Sequence, residues 1–140
     1  MKRTIEELLQ TPYWIIDILP KQVPEDSPGQ YFAVEKYYLE KSRLAVIKEK
    51  HINVILKLNC YRNISIDEET TVNPSPERIA EEMRKRFLYF LLDDAMILSE
   101  PDDVNMTIYN PDEELLALIK DIAGKEGLFV WQPHISQVHI

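Results

Sequence analysis

The sequence predicts a single α+β domain, residues 1–140, in which about five mostly antiparallel strands form a sheet with helices packed on one face. Two observations carry that prediction. Apolar and polar residues alternate between positions 52 and 66, as in a strand with one buried face. Two segments, near positions 76 and 111, begin with a helix cap and continue with apolar residues at helical spacing. Strands and helices are mixed without strict alternation, which favours an antiparallel sheet.

The first forty residues predict a short helix, a strand and a longer helix. Thr4 and Glu7 have the spacing of a capping box, which predicts a short N-terminal helix. The apolar run 13–19 predicts a strand that is covered on both faces. Ser27, with a proline after it, predicts the start of a helix, although residues 31–38 are also compatible with a strand.

The segment from His51 to Asp67 has the clearest periodicity in the chain. It follows a helix predicted over residues 42–50, and its pattern predicts a strand with one dry face and one wet face. Because strands usually have about five or six residues, we expect this one to be bent or interrupted. The apolar members of the alternating set are Ile52, Val54, Leu56, Leu58, Cys60, Ile64 and Ile66.

Another helix is predicted to begin at Ser75, which has a proline after it at the first helical position. Residues three or four apart supply its apolar stripe, which we expect to face the core. That stripe consists of Ile79, Met83, Phe87 and Leu91.

The last third of the chain predicts a hairpin, a helix and a final strand. The hairpin strands are residues 95–98 and 104–109. Asn110 is predicted to cap the last helix, which Gly124 ends. The apolar run 128–131 predicts the final strand.

The charge of the chain is acidic and unevenly distributed. Its formal net charge is -8, and no Lys or Arg occurs between Phe87 and Ile119. Such a surface would repel the phosphate backbone of nucleic acids, so we expect no nucleic-acid partner. The same surface suits a basic protein partner. The acidic residues in this stretch are Asp93, Asp94, Glu100, Asp102, Asp103, Asp112, Glu113 and Glu114.

The sequence predicts a cytoplasmic protein that does not associate with a membrane. Its apolar runs are far shorter than the ~20 residues of a membrane helix, and its start lacks the apolar run of a secretion signal. Cys60 is the only cysteine, so no internal disulfide can form. The sequence leaves open a homodimer formed through an exposed strand edge or through the aromatic residues 31–38.

The chain contains no motif that predicts a catalytic residue, a metal or a cofactor. A nucleophile elbow, a phosphate-binding loop and a dinucleotide fingerprint are all missing from the sequence. Cys60 belongs to the alternating apolar set, which predicts a buried, unreactive thiol. His134 and His139 are five residues apart, a spacing that brings their side chains together on neither a strand nor a helix. These observations favour a non-enzymatic protein.

Six residues form the predicted site for a partner or ligand. Asn59, Tyr61 and Asn63 would lie on the wet face of the long strand, with Tyr109 on a neighbouring strand. A neutral face rich in hydrogen-bonding groups suits a protein partner or a small ligand. Asp102 and Asp103, at the tip of the hairpin, would add acidic groups for a basic partner.

Five segments that together span most of the chain carry a resemblance: residues 17–24, 28–39, 56–61, 106–116 and 127–131. They resemble a group of small uncharacterised bacterial proteins of the Firmicutes type. The resemblance implies a bacterial, cytoplasmic setting and a free-standing domain. It implies no activity, cofactor or catalytic residue.

The sequence therefore supports two hypotheses about function. The leading one is a non-enzymatic interaction or regulatory module, such as an immunity-type protein, that presents an acidic surface to a basic protein partner. The alternative is a small-molecule-binding or enzymatic domain with a pocket between helices and sheet, lined by Tyr and Asn.

Overall fold

The computed structural model describes residues 3–133. In chain order its elements are α1 (Ile5–Leu8), β1 (Tyr13–Asp17), α2 (Tyr31–Leu39), α3 (Lys41–Asn59), β2 (Ser65–Ile66), α4 (Pro76–Lys85), β3 (Leu88–Leu92), β4 (Ala95–Ser99), β5 (Met106–Tyr109), α5 (Glu113–Lys125) and β6 (Phe129–Trp131). The predicted α+β class is confirmed, with six strands instead of five among the described residues.

The sheet is antiparallel throughout, in the order β2-β3-β4-β5-β1-β6. The predicted hairpin is confirmed, because β4 pairs with β5. Strand β1 lies between β5 and β6, so a strand from the N-terminal part of the chain separates two strands from its second half. Strand β3, which pairs with both β2 and β4, lies within the segment for which the sequence predicted the end of a helix.

One face of the sheet carries the main core. Helix α3 packs against both α4 and α5, and buried residues from the three helices join Phe90, Ile97 and Ile108 of the central strands in one apolar cluster. Successive residues of a strand point to opposite faces, so alternate residues of β3 and β5 are buried. On the other face α1 contacts β4, and Met96 is also buried.

The prediction of a strand from His51 to Asp67 is wrong. Residues up to Asn59 continue helix α3, and only Ser65 and Ile66 form a strand. The decisive residue is Ile55, which the alternating pattern assigned to the wet face and which is fully buried in the structure. Ile55 shares a helical stripe with Ile47 and Leu58, and no glycine or proline interrupts the sequence between Gly29 and Pro74.

Several predicted helix boundaries also differ from the structure. The capping box of Thr4 and Glu7 and the Ser75 cap are confirmed. Helix α2 begins at Tyr31 without a side-chain cap, because Ser27 accepts a hydrogen bond from Gly29 in the preceding loop. Helix α5 is capped by Asp112 rather than by Asn110.

The helix predicted from Ser75 to Leu91 is shorter than expected. Helix α4 ends at Lys85, and Leu91 belongs to β3. Phe87 lies between them and is 41% exposed, so it is not part of a buried helical stripe. The apolar residues after Lys85 enter the sheet, where alternate side chains of β3 reach the core.

Candidate functional site

The acidic residues of the second half divide between two ends of the sheet. The β4–β5 turn, residues 100–105, lies at one end, beside the N-terminal half of α3; we call it the Lys48 end. The β3–β4 turn (residues 93–94) and the β5–α5 loop (residues 110–112) lie at the opposite end, which we call the Asp93 end. The two groups of carboxylates are separated by the length of β4, so they do not form one acidic pole.

At the Lys48 end, a buried lysine and a buried histidine bond to each other and to the β4–β5 turn. Lys48 is 4% exposed and His51 is fully buried, one helical turn apart on α3. The Lys48 amine lies 2.6 Å from the carbonyl oxygen of Glu100 and 2.9 Å from Nδ1 of His51. Nε2 of His51 lies 3.2 Å from the carbonyl oxygen of Val104.

These contacts define the donors and acceptors of the pair. A carbonyl oxygen can only accept, so Nε2 of His51 carries the proton that bonds to Val104. Nδ1 of the neutral ring is then an acceptor, and the Lys48 amine donates to it. Lys48 therefore donates two hydrogen bonds, and the third tetrahedral position of its nitrogen holds either a third hydrogen or a lone pair.

Burial shifts the pKa of both groups downward. Desolvation lowers the pKa of Lys48 to about 8, although the nearby Asp103, Glu100 and Asp102 act in the opposite direction. Desolvation and the Lys48 charge lower the pKa of His51 to about 3, so its ring is neutral at pH 7. A lysine with this pKa carries a substantial neutral fraction near pH 8, which an exposed lysine does not.

The buried polar groups of the protein concentrate at this end. Among residues 3–133, the polar or charged residues that are buried are Asp17, Lys48, His51 and Ser99. Asp17 ends β1 and Ser99 ends β4, so both lie at the Lys48 end, and burial raises the pKa of Asp17. Within this described part of the chain, Ser99 Oγ and Asn105 Oδ1 are buried without a hydrogen-bond partner. Buried polar groups are costly, and such groups often mark functional sites.

An open cavity of about 470 Å³ lies between α3, α4 and the β4–β5 turn. Lys48 lines it together with Pro101 and Asp102, which directly follow the carbonyl that accepts from the Lys48 amine. Apolar side chains form much of the wall. Charged residues are also present at its edge, where Arg84 makes a paired contact of 2.8 and 2.9 Å with Glu49. The other lining residues are Lys41, Leu44, Ala45 and Val46.

At the Asp93 end the charged groups are mostly exposed. The guanidinium of Arg62 lies 3.1 Å from Glu114 and 3.8 Å from both Asp93 and Asp112. The side chains of Asp93, Asp112 and Glu114 are 70%, 69% and 88% exposed. Arg3 pairs with Asp94 beside them. Carboxylates outnumber guanidiniums here, so this end remains acidic.

The structure separates the six predicted site residues. Asn59 and Asn63 belong to an amide network, in which Asn59 donates to Asn73 at 2.7 Å and Asn73 donates to Asn63 at 2.9 Å. The network closes the loop after α3, because Asn73 also accepts from the Ile64 amide. These contacts hold the loop in place, and Asn59 and Asn63 do not lie on a sheet face, because Asn59 ends helix α3 and Asn63 precedes β2.

The remaining predicted residues lie at opposite ends of the molecule. Tyr61 is 68% exposed just beyond α3, next to Arg62 of the Asp93 end. Tyr109 also lies toward that end, on β5, where its ring is 5.5 Å from that of Tyr13. Asp102 and Asp103 belong to the Lys48 end, and Asp103 accepts from the Asn105 amide at 3.2 Å.

The prediction that the thiol of Cys60 is buried is wrong. Cys60 is exposed at the end of α3.

His134 and His139 fall outside residues 3–133, and within that range no group of three metal-ligating side chains converges. No helix in the same range is long and apolar enough to cross a membrane.

Sequence reasoning missed the contact between Lys48 and His51 because it ended the helix at residue 50, which placed the two residues in different elements. Read as one helix, residues 41–59 place both on the stripe that contains Ile52 and Ile55. A lysine and a histidine on a buried stripe would have indicated a polar contact in the core.

Comparison with protein-family models, with curated proteins and with solved structures found no significant match.

Proposed function

We propose that the Lys48 end binds a small organic acid in the cavity between α3, α4 and the β4–β5 turn. The observation that carries the proposal is a buried lysine, Lys48, in the lining of a cavity of about 470 Å³. Ligand sites commonly have volumes of roughly 300–1,000 Å³, with apolar walls and a few polar groups. A buried lysine lowers stability, so its presence at a cavity supports a role in binding.

The charges around the cavity indicate the ligand class. Three cationic side chains line the cavity, those of Lys41, Lys48 and Arg84, together with two carboxylates, Glu49 and Asp102. Arg84 already pairs with Glu49, which reduces the negative potential of that carboxylate. An anionic group would be attracted by the cationic side chains, while Leu44, Val46 and Pro101 would contact an apolar part of the ligand. These features favour a carboxylate with a small apolar body.

A thermal-shift series tests the proposal. The probes are benzoate and short aliphatic carboxylates, each with its neutral amide as a control. A ligand that binds the native state raises the melting temperature. We expect the carboxylates to raise it and the amides to have less effect. A flat series for all probes would contradict binding of small organic acids.

A pair of neighbouring variants locates the binding. Arg84→Gln removes a cationic side chain from the cavity and leaves Glu49 without its partner, whereas Lys85→Gln makes the same charge change at an exposed position that pairs with Glu81. We expect Arg84→Gln to weaken benzoate binding at least about five-fold, and Lys85→Gln to leave it unchanged. Equal effects of the two variants would exclude the cavity as the site.

The Asp93 end supports a second candidate function, an interaction module for a basic protein. Asp93, Asp112 and Glu114 are exposed around Arg62, and Tyr61 lies exposed beside them. Exposed carboxylates would steer a basic partner, and an exposed tyrosine suits an interface. In this interpretation the protein is a non-enzymatic regulator in the bacterial cytoplasm, and that setting also remains a prediction.

Matched charge variants test the second candidate by affinity capture. The first combines Asp93→Asn, Asp112→Asn and Glu114→Gln; the change at position 112 keeps a side-chain oxygen that can cap α5. The control combines Glu77→Gln, Glu81→Gln and Asp121→Asn, which changes the net charge equally at exposed positions elsewhere. A protein captured by the wild type and by the control, but lost with the first variant and at high salt, would support the candidate. Equal capture by both variants would contradict it.

A further inference from the structure

The amine of Lys48 has contacts that an ordinary ion-paired lysine does not have. Its described hydrogen bonds go to a histidine nitrogen and to a backbone carbonyl, both of them neutral acceptors. The exposed Lys85 and Lys125 instead form ion pairs with carboxylates, those of Glu81 and Asp121. A neutral pair of acceptors holds the nitrogen in place without stabilising its positive charge as strongly as a carboxylate would.

The geometry of these contacts leaves one position of the nitrogen available. A neutral primary amine has two hydrogens and one lone pair, and the two acceptors, His51 and Glu100, can take both hydrogens. The lone pair then occupies the remaining tetrahedral position. Lys48 lines the cavity together with Pro101 and Asp102, and its amine bonds to the carbonyl of Glu100, the residue that precedes Pro101.

We propose that the Lys48 amine reacts reversibly with the carbonyl group of a small aldehyde or ketone that enters this cavity, forming an imine. The lone pair of the nitrogen attacks the carbonyl carbon and a carbon–nitrogen bond forms. The carbonyl oxygen then leaves as water together with the two hydrogens of the amine, so the reaction needs no oxidant or reductant. Lysines in low-polarity sites are well suited to this chemistry because more of the amine is neutral.

The charged groups around Lys48 define the pH dependence of this reaction. Glu100, Asp102 and Asp103 face it from the turn, His51 from its own helix, and Glu49 and Arg84 line the same cavity. The carboxylates favour the protonated amine, but burial outweighs them and the pKa of Lys48 falls to about 8. At pH 8 we therefore expect Lys48 to react with a carbonyl group faster than the exposed lysines do. This inference rests on the proposed cavity site, and it adds the covalent step and the ligand class.

The test uses the full-length protein with 4-carboxybenzaldehyde, which combines a carboxylate, a small apolar ring and an aldehyde. Sodium cyanoborohydride reduces any imine to a stable amine, and peptide mapping by mass spectrometry locates the label. We expect Lys48 to be labelled at least about ten times faster than Lys85 and Lys125, whose side chains are 69% and 73% exposed. Faster labelling of the exposed lysines would overturn the inference.

Two controls connect the label to the cavity. Benzoate has the carboxylate and the ring but no aldehyde, so it should slow labelling of Lys48 and not of Lys85. Lys48→Met should abolish the fast label, and if that variant does not fold, the wild-type peptide map still decides the question. If labelling of Lys48 proceeds at the same rate with saturating benzoate, the aldehyde does not reach Lys48 through the cavity that binds benzoate.

The failures of the two proposals are distinguishable. If 4-carboxybenzaldehyde raises the melting temperature but leaves no label on Lys48, the covalent inference fails and the binding proposal stands. If Lys48 is labelled quickly while Arg84→Gln leaves benzoate binding unchanged, the covalent inference stands and the preference for a carboxylate fails.

Discussion

At the Asp93 end of the sheet the carboxylates reach water, whereas at the Lys48 end one lysine and one histidine are buried against the β4–β5 turn. Arg62 is surrounded by carboxylates that are mostly exposed, so solvent screens their attraction. Lys48 and His51 instead depend on each other and on two backbone carbonyls. The comparison indicates that the charges at the Asp93 end contribute little to stability, while the pair at the Lys48 end affects it strongly.

The largest expected effect comes from removing the histidine. His51→Ala leaves a void in a fully buried position and deprives both the Lys48 amine and the Val104 carbonyl of a partner. We expect the free energy of unfolding to fall by about 3 kcal/mol or more in urea denaturation. Val46→Ala, at a 59% exposed position of the same helix, should cost about 0.5 kcal/mol or less. If the two variants lost the same free energy of unfolding, the expected difference between buried and exposed positions of α3 would be wrong.

The second expected effect is a pH dependence that belongs to His51. Its folded-state pKa is lowered from 6.5 to about 3, so below pH 6.5 the unfolded chain binds a proton that the folded protein does not. Stability from this group is therefore present above pH 6.5 and lost as the pH falls toward 3. His51→Gln keeps a donor and an acceptor but does not titrate. Between pH 6 and pH 4 the unfolding free energy of the wild type should fall by roughly 2 to 3 kcal/mol more than that of this variant. Parallel pH profiles would show that His51 is not held neutral.

The third expected effect appears in alkaline solution and concerns Lys48. Its folded-state pKa is lowered from 10.5 to about 8, so between those values the unfolded chain binds more protons than the folded protein. The contribution of Lys48 to stability should thus increase as the pH rises through that window. Between pH 8 and pH 10 the unfolding free energy of the wild type should rise by about 2 kcal/mol relative to Lys48→Met. A constant difference between the two proteins would contradict the burial of the amine.

The smallest expected effects are at the Asp93 end. Arg62→Gln removes the group at the centre of three carboxylates and should cost about 1 kcal/mol, and Glu114→Gln should change stability by about 0.5 kcal/mol or less. Because both sites are in contact with solvent, 1 M salt should reduce the effect of Arg62→Gln. If Glu114→Gln lowered the free energy of unfolding as much as His51→Ala does, the proposed difference between the two ends would be wrong.

The local elements that the sequence predicted correctly have chemical signals within a few residues. Thr4 and Glu7 satisfy each other's backbone amides, and Ser75 accepts from the Arg78 amide, so these helix starts need no distant partner. The predicted hairpin of β4 and β5 is present for a similar reason, because a turn rich in acidic residues separates two apolar runs. The α+β class follows from such elements even where one long segment is assigned wrongly.

The segment 51–67 was not predicted correctly because its apolar residues satisfy two periods. Ile52, Val54, Leu56 and Leu58 alternate, but most of them also fall within a broad helical stripe. Packing decides between the two readings. In α3 the buried side chains contact both α4 and α5 through one continuous face, and the helix began ten residues earlier, at Lys41.

By itself the sequence determined the acidic composition, the helix caps at Thr4 and Ser75, the hairpin and the α+β class, because each depends on residues close together in the chain. Only the tertiary structure decided that residues 51–59 are helical, that the acidic residues separate to two ends, and that Lys48 meets the carbonyl of Glu100, fifty-two residues away. Contacts between distant segments set the burial of a side chain, and burial sets its pKa and its reactivity.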